Sequence, residues 1–265
     1  MLIANRHAAL VLVLAIGDGK PLLPLTARRA AAALPYAGTY RVIDFALTNC
    51  MHSGLRRINV LTQYNALSLQ NHLRDGWSIF NIDLGEFVTA VSPPINDHLS
   101  TYTGQANALF NNLYILDGAA EDVVLIASGE QIYRMDYAAM VEYHLQRGAD
   151  VTIAAIDRET ALGGSFPAFF TAVDTELKEI IDRTPATPLP DGDGAFGPMG
   201  VYVFQRKALV DILIRLGEEG TRAQSIVDLI RNEYLGRMRI FSYRFGGEYG
   251  RVTQDRYWRT LDNLD

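Results

Sequence analysis

Short apolar runs alternate with helix-length stretches over the first 160 residues, and this alternation constrains the fold more than any other feature. Four runs have strand character, at residues 8–15, 57–63, 122–127 and 151–156. Four stretches have the length and apolar spacing of helices, at residues 42–52, 66–74, 105–117 and 137–146. The pattern predicts an α/β fold with a mostly parallel central sheet and helices on both faces.

The pattern changes after residue 157. Two short apolar runs, 169–173 and 178–182, predict a hairpin, and the Pro-, Gly- and Asp-rich stretch 184–198 predicts a loop. Further strands are expected at 199–204 and 238–244, with helices at 207–216 and 226–234. We find no repeat and no long linker, so residues 1–265 are interpreted as a single domain.

Composition excludes several classes of partner. The net charge of −6 and the absence of a Lys/Arg-rich run argue against nucleic acid. The most apolar run, residues 8–16, is too short to cross a bilayer, so we expect a buried strand and no membrane association. The single cysteine, Cys50, is typical of the reducing cytoplasm, and the five histidines never fall in a metal-ligand spacing, so no structural metal is expected.

Ligands in such sheets sit outside the carboxyl ends of the strands, which directs attention to loops starting near residues 16, 63, 128 and 157. The first loop, residues 16–22, carries Gly17 and Gly19, which would let the backbone approach a phosphate. It lacks the third glycine of a dinucleotide fingerprint and the Ser/Thr of a P-loop. A phosphate cradle and a plain turn both remain open.

Six blocks of sequence occur in the order typical of one family. They are YRVIDFALTNC (40–50), SGLRR (53–57), LTQY (61–64), HLRDGWS (72–78), QIYRMDY (131–137) and MGVYVF (199–204). The chain thereby resembles the ADP-glucose pyrophosphorylases, which are the glucose-1-phosphate adenylyltransferases of glycogen and starch synthesis.

The resemblance implies a nucleotidyltransferase, Rossmann-like fold and a reaction that joins ATP and glucose 1-phosphate to give ADP-glucose and pyrophosphate. That reaction is a magnesium-assisted displacement at the α-phosphate, so Mg²⁺ is the expected cofactor if the chain is active. The family continues into a left-handed β-helix domain, whereas this sequence stops soon after Tyr257-Trp258-Arg259. We interpret this as natural loss of that domain.

The positions that the resemblance assigns to catalysis are altered. The family's arginine matches Pro21, and its Lys-Pro-Ala pattern matches residues 31–33, which are all alanine. Its metal-binding aspartates match Glu130 and Thr260. Lys20 could supply the lost cation, Glu130 could serve as a catalytic or metal-binding carboxylate, and Asp262 lies close enough in sequence to assist.

Other positions are kept or match loosely. The nucleotide- and sugar-binding candidates are Gly17, Gly19, Gln63, Trp77, Tyr102, Gly104, Asp182 and Arg183, although Gln63, Trp77, Tyr102 and Gly104 could equally be structural ties. Pro167 and Pro198 replace a glycine and a serine on the sugar side. The effector-site candidates are Arg28, Arg29 and Arg41, which could instead form a solvated basic surface.

Three hypotheses follow. The first is a catalytically impaired relative with a regulatory or subunit role, which binds a nucleotide or sugar phosphate and forms a homo-oligomer or a hetero-oligomer with a full-length pyrophosphorylase. The second is an active sugar-phosphate nucleotidyltransferase with a rewired site that uses Lys20, Glu130 and Asp262. The third is a purely structural protein without a ligand, in which Pro21 and Pro167 fill the pocket.

Overall fold

The computed structural model describes residues 9–94, 101–157, 168–173, 175–182, 195–219, 225–230, 234–246 and 257–261. The strands in these ranges are β1 (Leu10–Ala15), β2 (Pro35–Tyr36), β3 (Tyr40–Arg41), β4 (Arg57–Thr62), β5 (Phe87–Val91), β6 (Val123–Ser128), β7 (Gln131–Tyr133), β8 (Val151–Asp157), β9 (Ala168–Val173), β10 (Glu176–Asp182), β11 (Ala195–Gln205), β12 (Ile240–Arg244) and β13 (Trp258–Thr260). The helices are α1 (Ile43–His52), α2 (Leu67–Gly76), α3 (Gln105–Phe110), α4 (Leu113–Asp117), α5 (Tyr137–Arg147), α6 (Arg206–Glu219) and α7 (Ile226–Leu229).

A nine-stranded sheet organises the chain, in the order β5-β4-β1-β6-β11-β8-β12-β10-β9. Strands β5, β4, β1 and β6 run parallel to one another, and β8 runs parallel to β12. Strand β11 lies antiparallel between β6 and β8, so the sheet is mixed. The predicted α/β fold is confirmed, with more antiparallel pairing than the expectation of a mostly parallel sheet allowed.

Strand β1 is buried on both faces. Val11 and Val13 pack into one core with α1, α2 and α5, whereas Leu10, Leu12 and Leu14 pack into a second core with α3, α6 and α7. Because successive side chains of a strand point to opposite faces, both sets must be apolar. This explains the unbroken apolar run at residues 8–16. No helix within the described ranges is long and apolar enough to cross a membrane.

The first four predicted strands are confirmed to within two residues at each end. The single helix predicted at 105–117 is wrong, since α3 ends at Phe110 and α4 begins at Leu113. Asn112 lies at the break, where its amide donates to the Ala108 carbonyl and to the Tyr102 hydroxyl, both at 2.8 Å. An asparagine side chain that hydrogen-bonds the backbone competes with continuation of the helix.

The second half follows the predicted order with shifted boundaries. The hairpin is confirmed as β9 and β10, which pair antiparallel. The loop predicted at 184–198 is wrong over residues 195–198, because these belong to β11 and pair with β8 and β9. The helix predicted at 226–234 ends at Leu229 in α7. Edge strand β5 was not predicted from the sequence.

A buried carboxylate on α1 joins three elements. Asp44 accepts hydrogen bonds from the backbone N–H of Arg41 at 2.8 Å, from Nε2 of His72 at 2.6 Å and from Nε1 of Trp77 at 2.8 Å. Arg41 belongs to β3 and His72 to α2, and Trp77 follows α2. The carboxylate therefore fixes the β2–β3 hairpin and α2 against α1.

Removing this carboxylate should destabilise the fold. Asp44→Ala leaves three donors without an acceptor at a buried position, which we expect to cost about 3 kcal/mol of the free energy of unfolding. Urea denaturation measures the loss. Asp75→Ala is the matched control, since Asp75 is exposed and, among the described residues, its ion pair is with neighbouring Arg74. Equal stability of the two variants would contradict a central role for Asp44.

Candidate functional site

Three loops meet at one edge of the sheet. Strands β4, β1 and β6 are adjacent and parallel, so their carboxyl ends lie side by side. Gln63 follows β4, Gly17 follows β1 and Glu130 follows β6. The sequence predicted this edge as the ligand-binding region from the positions of the loops.

The glycine loop, residues 16–22, turns sharply after β1. Gly19 has a left-handed backbone, with φ of 65°, and its carbonyl accepts a hydrogen bond of 2.6 Å from Oγ1 of Thr26. A 3-10 turn over Lys20–Leu22 follows, with Pro21 in its first positions. A proline fits there because the first N–H groups of such a turn have no partner within it.

Glu130 lies directly over the glycine loop. Its Oε1 accepts a hydrogen bond of 3.0 Å from the backbone N–H of Gly17. A methyl group on Gly17 would stand 2.4 Å from Oε2, so any side chain at this position would have to displace the carboxylate. The backbone N–H that a phosphate cradle would offer to a ligand is thus bound by the protein's own carboxylate.

The carboxyl of Glu130 is hard to ionise. Burial raises its pKa to about 7, the hydrogen bond from Gly17 opposes that rise, and the nearby charge of Asp18 adds to it. A half-buried acid with another acid beside it favours its neutral form.

Lys20 does not face Glu130. Its ammonium pairs with the carboxylate of Asp18 at 2.8 Å, and its side chain is 78% exposed. This ion pair raises the pKa of Lys20 and lowers that of Asp18. No hydrogen bond or ion pair between Lys20 and Glu130 is seen among the described residues, so the two predicted catalytic groups are not brought together. The i, i+2 spacing of Asp18 and Lys20 was the signal that could have revealed the pair.

Gln63, Tyr102 and Gly104 form a structural tie. The Gln63 amide accepts from the backbone N–H of Tyr102 and donates to its carbonyl at 3.1 Å. Tyr102 is buried, and its hydroxyl accepts a hydrogen bond from Asn112. Gly104 has an extended backbone and caps the start of α3. In this arrangement the polar atoms of Gln63 serve the fold.

The Trp77 side chain also makes structural contacts. Its Nε1 donates to Asp44, and its ring stacks on Phe80 with 6.4 Å between centroids. Asp182 is the last residue of β10. Arg183, Pro167 and Asp262 lie outside the described residues.

The three candidate effector arginines lie on either side of the β2–β3 hairpin in sequence. Arg41 is the end of β3 and is half-buried, as is Arg29, whereas Arg28 is exposed. No side-chain hydrogen bond or ion pair to any of the three is seen within the part of the chain that the structure describes. Their binding of an effector stays a prediction.

The residues present do not fit the two-carboxylate magnesium site that the resemblance implies. Strand β13 pairs with β7, which places Thr260 opposite Gln131, and the Leu261 N–H donates to the Glu130 carbonyl at 3.2 Å. The two metal positions of the family are therefore adjacent, but one holds a hydroxyl. No group of three or more His, Cys, Asp or Glu that could hold a metal occurs among the described residues.

Fold and site together define a nucleotidyltransferase-like α/β protein, and the comparison with known proteins agrees. Residues 10–259 match the nucleotidyl transferase family, so the chain belongs to that family.

Within the family, the chain is similar to glucose-1-phosphate adenylyltransferases, as the sequence blocks indicated. It is 41% identical over 259 residues to glucose-1-phosphate adenylyltransferase 2 of Vibrio parahaemolyticus serotype O3:K6 (strain RIMD 2210633). The matched region covers 97% of this chain and 64% of that protein. It is 35% identical over 259 residues to the glucose-1-phosphate adenylyltransferase of Rhodopirellula baltica (strain DSM 10527 / NCIMB 13988 / SH1), covering 96% and 57%. The chain thus spans about 60% of the length of these relatives.

The Glu130 contact predicts a pH-dependent gain in stability from Glu130→Gln. The pKa of Glu130 in the folded protein is raised above its ordinary value of 4.5, so the contribution of Glu130 to stability is fully present below about pH 4.5 and is lost as pH rises through about 7. Glutamine keeps the acceptor for Gly17 and never ionises. The variant should therefore match the wild type near pH 4.5 and exceed it above pH 7, by up to about 3 kcal/mol.

Thermal unfolding of both proteins between pH 4.5 and 8.5 measures this difference. Taking the difference cancels other titrating groups, such as the buried His144, whose pKa burial lowers to about 4. A difference that does not change with pH would show that Glu130 ionises normally in the folded protein.

Proposed function

We propose that this chain is a catalytically impaired relative of glucose-1-phosphate adenylyltransferase that acts as a regulatory subunit of an active enzyme. The observation that carries the proposal is the hydrogen bond of 3.0 Å between Gly17 N–H and Glu130 Oε1, which fills the phosphate position of the glycine loop. A nucleotide would have to displace this carboxylate before its phosphates could reach the loop.

The charges around the loop also support impairment. Transfer of an adenylyl group needs cations that neutralise the charge developing on the phosphates. Here the Lys20 ammonium is paired with Asp18 and points to solvent, and Glu130 brings no positive charge to the loop. Pro21, buried Ala31 and Thr260 bring none of the charges that the family places at these positions.

The magnitude of these losses favours a non-catalytic role. Removing one charge-stabilising group typically costs about 100- to 1,000-fold in rate. Several are replaced here, and although such effects do not simply add, they act on the same transition state. The two hydrophobic cores and the hydrogen bonds around Asp44 and Gln63 are nevertheless present, which supports a role that needs the fold without the chemistry.

A fold kept without its chemistry is suited to assembly and to ligand sensing. We infer a hetero-oligomer with a full-length glucose-1-phosphate adenylyltransferase, with a homo-oligomer as the simpler alternative, and a nucleotide or sugar phosphate as ligand. We place the protein in the cytoplasm, where buried Cys50 would remain a thiol.

An active enzyme with a rewired site is the second candidate. It is favoured by the same residue, because a half-buried carboxyl with a pKa of about 7 beside the glycine loop could act as a general base or bind a cation. In that case Glu130 would have to turn away from Gly17 when substrate enters.

An exchange assay separates the two candidates. The purified chain is incubated with ADP-glucose, labelled pyrophosphate and Mg²⁺, and formation of labelled ATP is measured beside a full-length relative as positive control. We expect no magnesium-dependent exchange from the wild type. Exchange by the wild type that disappears in Glu130→Ala would establish the active enzyme and contradict impairment.

Restoring the family's residues provides the converse test. The variant Pro21→Arg/Glu130→Asp/Thr260→Asp returns one cation and two carboxylates to positions that are exposed or half-buried. It should gain measurable exchange, since each group is worth about 100-fold or more. The same triple variant with Asn in place of both Asp residues is the matched control and should remain inactive. No gain in a well-folded restored variant would mean that these positions do not account for the loss.

The subunit role has a separate test. The chain is mixed with a full-length glucose-1-phosphate adenylyltransferase from the same cells, and sedimentation velocity reports the masses present. We expect one species that contains both chains and whose exchange activity responds differently to effectors from that of the full-length enzyme alone. Separate sedimentation at micromolar concentration would rule out the hetero-oligomer.

A further inference from the structure

A cavity lies beside α1, and its lining includes neither the glycine loop nor Glu130. This α1 cleft has a volume of about 550 Å³ and is bounded by the β2–β3 hairpin, one face of α1 and the segment that joins β7 to α5. Its aromatic walls come from Tyr36, Tyr40 and Phe45. The volume falls within the range of about 300–1,000 Å³ that is typical of small-molecule sites.

The α1 cleft faces away from the candidate effector arginine on the hairpin. Tyr36 pairs with Tyr40, and Pro35 pairs with Arg41. Successive side chains of a strand point to opposite faces, so the two tyrosines lie on the face opposite to Arg41. The α1 cleft is therefore distinct from the surface that the resemblance assigns to effectors.

The floor of the cleft is fixed by hydrogen bonds that use up most of its polar atoms. The Asn49 amide donates to the Tyr133 carbonyl at 3.3 Å and accepts from the Met135 N–H at 3.2 Å. The Ser53 hydroxyl accepts from the backbone N–H of Tyr137 at 2.8 Å. These ties hold α1 against the β7–α5 segment, so the cleft is built into the fold rather than formed by mobile side chains.

The carboxylates of the cleft are also engaged. Asp44 already accepts from three donors, and Asp136 caps α5 by accepting from the Ala139 N–H at 3.2 Å. Arg134 is exposed at the rim, and no hydrogen bond or ion pair to its guanidinium is seen in the described part of the chain. Thr48 and His52 add a hydroxyl and an imidazole along the same face of α1.

We propose that the α1 cleft binds a planar aromatic or heteroaromatic molecule that carries one carboxylate or phosphate group. Its ring lies against Tyr36 and Phe45, and its anionic group pairs with Arg134. Tyr36 and Phe45 pack edge to face, with 5.1 Å between ring centroids and an angle of 80° between the ring planes. A ligand ring beside them would extend this aromatic packing. The planar guanidinium matches a carboxylate or phosphate with two parallel hydrogen bonds.

Calorimetric titration with phenyl phosphate and with phenylacetate tests the proposal and distinguishes the two anionic groups. We expect saturable one-to-one binding of at least one of them, weakened about 10-fold or more in Arg134→Ala. Arg215→Ala is the matched control, because it removes an exposed arginine from α6 on the other face of the sheet and should leave binding unchanged. Thr48→Phe should fill the cleft and abolish binding.

Four results would overturn the proposal. These are no binding of either molecule at millimolar concentration, equal binding by Arg134→Ala and the wild type, unchanged binding by a folded Thr48→Phe, and binding of inorganic phosphate as strong as that of phenyl phosphate. The last result would mean that the ring contributes nothing. Circular dichroism confirms the fold of each variant, and Arg134→Ala alone decides the outcome if Thr48→Phe fails to fold.

Discussion

Burial of β1 on both faces is the constraint on which the rest of the structure depends. Its alternate side chains complete two separate hydrophobic cores, so the strand can occupy only the middle of the sheet, between β4 and β6. That position brings the glycine loop after β1 beside the loop after β6. The contact between Gly17 and Glu130 is thus a direct consequence of how the core is packed, and the packing would keep the two residues together whatever chemistry they serve.

Glutamate at this position changes what the glycine loop can do. Its carboxylate reaches the Gly17 N–H, which is the donor that a phosphate would otherwise use, and burial together with Asp18 makes its ionisation costly. The chain belongs to the nucleotidyl transferase family, and its altered catalytic positions are the ground for proposing that the fold is kept for assembly or sensing. The α1 cleft offers such a protein a place for a ligand that does not depend on the glycine loop.

Much of the fold could be predicted from the sequence because the apolar pattern of a strand or helix is carried by residues that are close together in the chain. The four first strands and the helices α1, α2 and α5 are examples, and the blocks of family sequence gave the correct family. Other features depended on contacts distant in sequence. Asn112 breaks a helix by reaching Tyr102, and residues 195–198 form a strand despite their Gly and Pro because β8 and β9 supply partners. At the site, Gly17 and Glu130 were each predicted as candidates. The hydrogen bond between them could not be predicted, because the two residues are 113 positions apart in the sequence.

The ionisable carboxyl of Glu130 hydrogen-bonds the Gly17 amide, and nuclear magnetic resonance of that amide reports on this contact. The ¹⁵N and ¹H shifts of Gly17 are followed from pH 5 to 9 in the wild type and in Glu130→Gln. The account predicts a titration of the Gly17 amide with a midpoint near pH 7, absent from the variant. A Gly17 amide whose shifts do not change over this range, or that titrates equally in both proteins, would contradict it.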